Sequence, residues 1–339
     1  MVTADALETS LSRSSPWRAA PPLEPSDFTT LRRQLILSGY KWDPQVGDVS
    51  TIAPFPILIP ASQWRQLADL AQRLAAELML AENELLTRPD LHSQLGLPRR
   101  LRRLFATSVD RLPTPPAARV LRFDFHWTTD GWRISEVNSD VPGGFTEASN
   151  LPALMAAHYP GTTPAGDPAA MWADAIALSA HGCKHVALLA AAGFMEDQQI
   201  MSYLASLLAQ RGIRSSLALP HQLHWTNGSA SLQTNWHRGP VGAIVRFYQA
   251  EWLANLPPKI GWQHLFFSGN TPVANPGIST LTESKRFPLV WDHLTTPLQT
   301  WRELLPESRD PRRVPWATDD NWLVKSAYCN TGDTVAIRG

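Results

Sequence analysis

One stretch, residues 122–148, RFDFHWTTDGWRISEVNSDVPGGFTEA, constrains this chain more than any other. Its first half alternates. Leu121, Phe123 and Phe125 face one way, and Arg122, Asp124 and His126 face the other. The turn Thr128-Thr129-Asp130-Gly131 follows. A second alternating run then leads through Trp132 and Ile134 into Glu136, Val137, Asn138, Ser139 and Asp140. Two runs of period two joined at an Asp-Gly step read as a β-hairpin. Position parity predicts that Arg122, Asp124, Glu136 and Asn138 project from one face of it. Two carboxylates, an amide and a guanidinium on one face are costly to desolvate unless a cation or an anionic ligand joins them. Pro142-Gly143-Gly144 then offers a backbone that a ligand can approach closely.

The rest of the chain sets bounds. At 339 residues it has room for two or three lobes. Its 30 basic and 30 acidic side chains balance, which disfavours nucleic acid or an anionic membrane as a bulk partner. Cys183 and Cys329 are the only cysteines, which suits a reducing, cytoplasmic setting and excludes a disulfide scaffold. No apolar run reaches the roughly 20 residues of a membrane span, and the N-terminus lacks an apolar signal core. Its 14 scattered tryptophans read as core and rim residues rather than a stacking platform.

Periodicity divides the chain into segments. Residues 1–25 are rich in Ser, Ala and Pro and read as a flexible lead-in. Residues 26–160 are expected to hold helical segments and the hairpin. Asp27 is placed to cap a short helix, residues 52–59 read as an extended edge, and Ser62 is placed to cap a long helix running to about Leu86. The run Pro98-Arg99-Arg100-Leu101-Arg102-Arg103 reads as a solvated helix face rather than a nucleic-acid patch. A further helix is expected over 150–158, and the linker PGTTPAGDP over 160–168. Residues 169–270 read as a small α/β unit with a parallel sheet. It comprises a helix over 169–180, a buried strand over 184–190, a helix over 196–210 ending at Gly212, and strands over 213–219 and 241–247. Ligands gather at the carboxyl ends of such strands, where Glu196 and Asp197 lie. These acids read either as a site for a cationic group or as ordinary first-turn residues favoured by the helix dipole. The loop lacks G-x-G-x-x-G, which argues against a dinucleotide fold.

Residues 271–339 are loop-rich. A helix is expected over 291–305. Lys325 closes a short apolar strand, and a tight hairpin follows it. A lysine so placed suits phosphate binding by its ammonium and by turn N–H groups, although a strand lysine taken singly is more often at an exposed edge.

Set side by side, R-x-D-F at Arg122, E-x-N-x-D from Glu136 and T-E-A from Thr146 resemble the glutathionylspermidine synthase family, a circularly permuted branch of the ATP-grasp ligases. The resemblance continues in order downstream. It takes in 188–208 (strand, acidic loop, helix), IVRFYQAEW at 244–252, SKRFPLVW at 284–291, and Val324-Lys325 followed by Gly332. It implies an α/β permuted ATP-grasp fold with a small parallel-sheet pre-ATP-grasp domain, the last segment being the start of the ATP-binding lobe.

The resemblance also implies an activity. ATP and a carboxylate would give an acyl phosphate and ADP, and an amine, a polyamine for instance, would then give the amide. ATP and Mg2+ are the implied cofactors. Asp124, Glu136 and Asn138 would hold magnesium. Arg122 would be catalytic, steadying the attacking carboxylate. Lys285, Lys325 and Gly332 would contact the nucleotide. Glu196 and Asp197 would receive the amine, and Arg246 would contact substrate. This chain departs from the family pattern at Asn330, where the family carries arginine, and at Val141 and Gly143, where it often carries hydroxyl residues. The sequence stops at Gly339 as the last hairpin closes, so the ATP lobe is expected to be completed elsewhere, by further chain or by a second polypeptide. A relative that keeps the fold without turnover is the competing expectation.

Overall fold

A computed structural model describes residues 15–180, 182–328 and 334–337. Near the N-terminus, helix α1 spans Pro25–Leu37, its N1 proline pre-set for the first turn. Helix α2, Ala61–Leu86, is the longest. It begins beside Pro60 with no side-chain cap, so Ser62 lies inside the helix rather than capping it. Leu70, Leu74, Leu78, Ala81 and Leu85 recur every three or four residues and form its buried stripe. Truncating one such leucine to alanine removes about 2–5 kcal/mol. Helix α3, Arg99–Ala106, buries Leu101 and Phe105, and the rest of it carries the arginines.

Strand β1, Pro116–Ala118, precedes the hairpin strands β2, Arg122–Thr128, and β3, Gly131–Asn138. Helix α4, Pro168–Ser179, is capped by Asp167, whose carboxylate accepts the Ala170 N–H. Then come β4, His185–Ala190; α5, Met195–Gln210; β5, Arg214–Ala218; β6, Ala243–Phe247; and β7, Val273–Ala274. These strands form one parallel sheet in the order β1-β7-β6-β4-β5. The sheet was expected from β4, β5 and β6. It also takes β1, from ahead of the hairpin, and β7, from beyond residue 270.

Both faces of the sheet are covered, so β4 and β6 are buried throughout and read as apolar runs broken only by His185 and Arg246. Val186, Leu188, Val245 and Phe247 pack with Trp172 and Ile176 of α4 and Leu204 of α5. Ala187, Leu189 and Ile244 face the larger core, which takes in the α2 stripe, α3, the inner side of the hairpin and Trp291 and Trp301.

The helix expected over 291–305 is absent as such. A 3-10 turn covers Phe287–His293, and a six-residue helix α6 covers Gln299–Leu304. Pro297 intervenes, and a proline excludes its own N–H and disfavours helix at the preceding residue. Two acids of α2 dock this segment. Glu84 accepts the N–H groups of Thr295 and Thr296, and Glu77 those of Thr300 and Trp301 at the start of α6. Strands β8, Leu323–Val324, and β9, Ala336–Ile337, pair antiparallel. Among the described residues, no helix is long and apolar enough to cross a membrane.

Candidate functional site

The hairpin turns through Thr129-Asp130, with Gly131 at a φ of +88°, a conformation a β-carbon resists. Thr128 pairs with Gly131, and the regular register runs back to Phe125 opposite Ile134. Continued without interruption, it would set Asp124 opposite Ser135 and send Glu136 to the other face. A bulge intervenes. Ser135 is the extra residue, so Asp124 stands opposite Glu136 and Arg122 opposite Asn138. His126 Nε2 meets the Ser135 hydroxyl at 2.8 Å beside this bulge. On the inner side, burial moves from Trp132 and Ile134 before the bulge to Val137 after it.

The four polar groups therefore do share a face. Arg122 Nε donates to Asp124 Oδ1 at 3.0 Å. The Asn138 amide is buried, and its nitrogen has no hydrogen-bond partner. Glu136 meets two lysines from the last third of the chain, Lys325 Nζ at 2.8 Å and Lys285 Nζ at 3.6 Å. Burial alone would raise the Glu136 carboxyl. The Lys285 charge, the hydrogen bond and charge of Lys325 and the Arg122 charge together outweigh it and hold the carboxyl below its ordinary value.

Ser135, Glu136 and Val137 of the hairpin form one wall of a cavity of about 610 Å³, which Lys285 and Lys325 also line. Its other walls come from 282–289, 305–316 and 321–327. Phe287, Trp301, Trp316 and Trp322 make it partly apolar, and Arg286, Arg309 and Arg312 stand among its lining residues. Asp310 joins Arg286 and Arg312, and Arg309 lies over the Trp322 ring. The Lys285 N–H donates to Ala327 O at 2.8 Å, which ties the two lysine segments together.

The hairpin ends in a buried polar cluster. The Asp140 carboxylate receives Arg246 through both terminal nitrogens, the Ser279 hydroxyl and the Ala250 N–H. Arg246 also donates to the carbonyls of Asn275 and Tyr248. Its side chain is fully enclosed and its donors are committed. The expected substrate contact by Arg246 is therefore not the role its geometry fits: it clamps the sheet to the hairpin exit. Asn275 adds bonds to the carbonyls of Val120, Ser139 and Asp140.

Glu196 and Asp197 open α5 at the carboxyl end of β4. A β-carbon at Gly143 would lie 3.0 Å from Glu196 Oε1, so the glycine lets the hairpin exit and the acid approach closely. Arg122 reaches the same place, its Nη1 lying 3.5 Å from Gly143 O. Asp197 Oδ2 is buried without a hydrogen-bond partner. Burial and the neighbouring Glu196 push its carboxyl up to about 6. A second cavity, about 330 Å³, opens at the carboxyl ends of β4, β5 and β6 among Phe194, His221, Tyr248 and Trp252.

The structure thus gathers Arg122, Asp124, Glu136, Asn138, Lys285 and Lys325 at one site, with Glu196 beside Gly143. It separates Arg246 from the cavity, and Gly332 lies outside the described residues. Glu283, which lines the cavity and touches Lys285, escaped notice in the sequence, since one acid among the polar residues of 279–286 carries no signal. Among the described residues, no group of three or more His, Cys, Asp or Glu is placed to hold a metal ion. The hairpin carries two carboxylates and an amide, and oxygen donors of this kind fit a hard divalent cation.

A family model described as glutathionylspermidine synthase preATP-grasp matches residues 39–339. A search of curated proteins finds no match.

Proposed function

The chain belongs to the glutathionylspermidine synthase family, and from that membership, which supports a ligase-type function, we propose that it is an ATP-dependent carboxylate–amine ligase. The observation that carries the reading is Glu136 held between Lys285 and Lys325 on a cavity wall, opposite Asp124 and near Asn138.

In this reading the donor carboxylate attacks the γ-phosphoryl group of ATP, ADP leaves, and an amine then displaces phosphate from the acyl phosphate. Such chemistry needs positive charge, placed in advance, around the moving phosphoryl group and no side-chain nucleophile. Lys285 and Lys325 supply it by turning from Glu136 to phosphate oxygens. Arg122 steadies the donor carboxylate once it is released from Asp124. Asp124, Glu136 and Asn138 would hold magnesium, which when bound neutralises phosphate charge. The partly apolar floor around Trp316 and Trp322 receives the uncharged part of the nucleotide. Glu196 and Asp197, at the hairpin exit, attract the amine as its ammonium form.

Calorimetric titration with ATP, with and without Mg2+, tests the reading, followed by ADP release in the presence of carboxylate and amine mixtures. Magnesium-dependent binding is the expected result; its absence sinks the proposal.

A further inference from the structure

Glu283, on the 282–289 wall of the cavity, joins that wall to the hairpin exit through a single buried carboxylate. Its side chain is 4% exposed. Oε2 accepts the N–H groups of Ser139 at 2.6 Å and Asp140 at 2.9 Å, the two residues that follow Asn138. Oε1 accepts from Lys285 Nζ at 3.3 Å. That ammonium also donates to Val137 O at 3.3 Å, on the other side of Asn138. The backbone around Asn138 is thus bracketed by Glu283 and by the lysine that Glu283 holds.

A carboxylate buried this deeply is costly unless it is paired and hydrogen-bonded. Burial pushes the Glu283 carboxyl up and the Lys285 charge opposes the shift; the Asp140 charge reinforces it, and the two N–H donors oppose it. An apolar side chain would avoid that cost but take this acceptor from the Ser139 and Asp140 N–H groups and from the Lys285 ammonium. Arg119, Asn275 and Arg246 anchor the carbonyls of Ser139 and Asp140 and the Asp140 carboxylate, while the N–H groups of both residues go to Glu283. Glu283 is thus the link between these N–H groups and the Lys285 ammonium, which also meets Val137 O and Glu136, and it draws the lysine against the strand end that carries Asn138.

We propose that Glu283 is a positioning residue that sets Lys285 in register with the exit of the polar hairpin, so that the lysine meets the phosphates of a nucleotide whose cation sits on Asp124, Glu136 and Asn138. The proposal rests on reading the cavity as a nucleotide site. Its substitution by glutamine is informative. The amide oxygen still accepts from Ser139 and Asp140, but the amide NH2 then faces the Lys285 ammonium, donor against donor.

The test is a double-mutant cycle of Glu283→Gln and Lys285→Met, read by calorimetry with Mg·ATP and by thermal unfolding. Glu283→Gln is expected to weaken binding by about tenfold or more and to lower the thermal midpoint, since it sets two buried donors against each other. In the Lys285→Met background the same change is expected to alter binding by less than about twofold. Equal losses in both backgrounds would mean that Glu283 acts only on the fold, and would overturn the proposal, as would unchanged binding in the single variant. If Glu283→Gln alone does not fold, the double variant lacks the opposed donors. Recovery of folding there, with binding equal to Lys285→Met, supports the coupling, and weaker binding overturns it. Absence of Mg·ATP binding by the natural protein would instead sink the nucleotide reading, and this proposal with it.

Discussion

Lys325 Nζ donates a 2.8 Å hydrogen bond to Glu136 Oε2, joining residues 189 positions apart. Lys285 approaches the same oxygen at 3.6 Å. The carboxylate proposed as a metal ligand is therefore already neutralised by the two cations proposed to meet phosphate. Nucleotide and metal would enter together, each releasing the group that holds the other's place.

Replacing Glu136 by alanine removes a proposed cation ligand and strands both ammonium groups. ADP formation is expected to fall by roughly two orders of magnitude or more, the scale on which a preorganised charge acts. An ADP-release assay at saturating ATP measures this. Turnover near that of the natural protein would mean that the hairpin is not the metal site.

Lys325→Met is expected to raise the Kd for Mg·ATP by about tenfold or more, since a charged hydrogen bond contributes roughly 1.5–3 kcal/mol. Calorimetry at two salt concentrations gives the sign and its electrostatic origin. Binding that is unchanged at both would place the phosphates elsewhere.

Asp197 titrates near 6 through burial beside Glu196. Its folded pKa lies above the unfolded value, so the folded state binds a proton more tightly, and stability falls as pH rises from about 4 through 6. Asp197→Asn is accordingly expected to raise the thermal midpoint at pH 7–8 and to match the natural protein near pH 4. A gain of equal size at every pH would show that burial of this charge is not the cause. The attraction for an amine has the opposite sense, being lost as pH falls through 6.

Glu196→Gln with Asp197→Asn is expected to raise the KM for the amine and leave the KM for ATP in place. Initial rates with each substrate varied in turn decide it. An unchanged amine KM would return the pair to the role of first-turn residues.

Arg246→Met leaves the Asp140 carboxylate buried without its main partner. Breaking such a pair on one side costs about 3–5 kcal/mol, and urea unfolding is expected to show a lower midpoint. An unaltered midpoint accompanied by weaker substrate binding would restore the contact expected from sequence.

Much of the frame was legible in the residues themselves. The apolar runs at 185–190 and 243–247 announce strands buried on both faces, and they form the middle of the parallel sheet. The leucine spacing of α2 announces its stripe, although the cap expected at Ser62 is absent. The two-residue strand β7 and the proline-led strand β1 carry too few residues for any period to show. The helix expected over 291–305 failed because Pro297 outweighs the apolar spacing around it. The substrate contact at Arg246 was implied by the family resemblance, whereas its partner Asp140 lies 106 residues away.

The amino-acid sequence by itself determined that a hairpin would form at 122–138 and which acids and amide it would carry, because alternation and an Asp-Gly turn are local properties. It did not determine which face those groups share. Parity pointed to the observed face for a reason that a regular two-residue hairpin contradicts, and the bulge at Ser135 supplies the shift that brings Glu136 opposite Asp124. Tertiary structure alone decided that Lys285, Lys325 and Glu283 meet this hairpin and that Arg246 is consumed in holding it. Periodicity records only whether a residue is buried along its own element. Ion pairs between distant segments depend on how those elements pack, and no short window of sequence contains that.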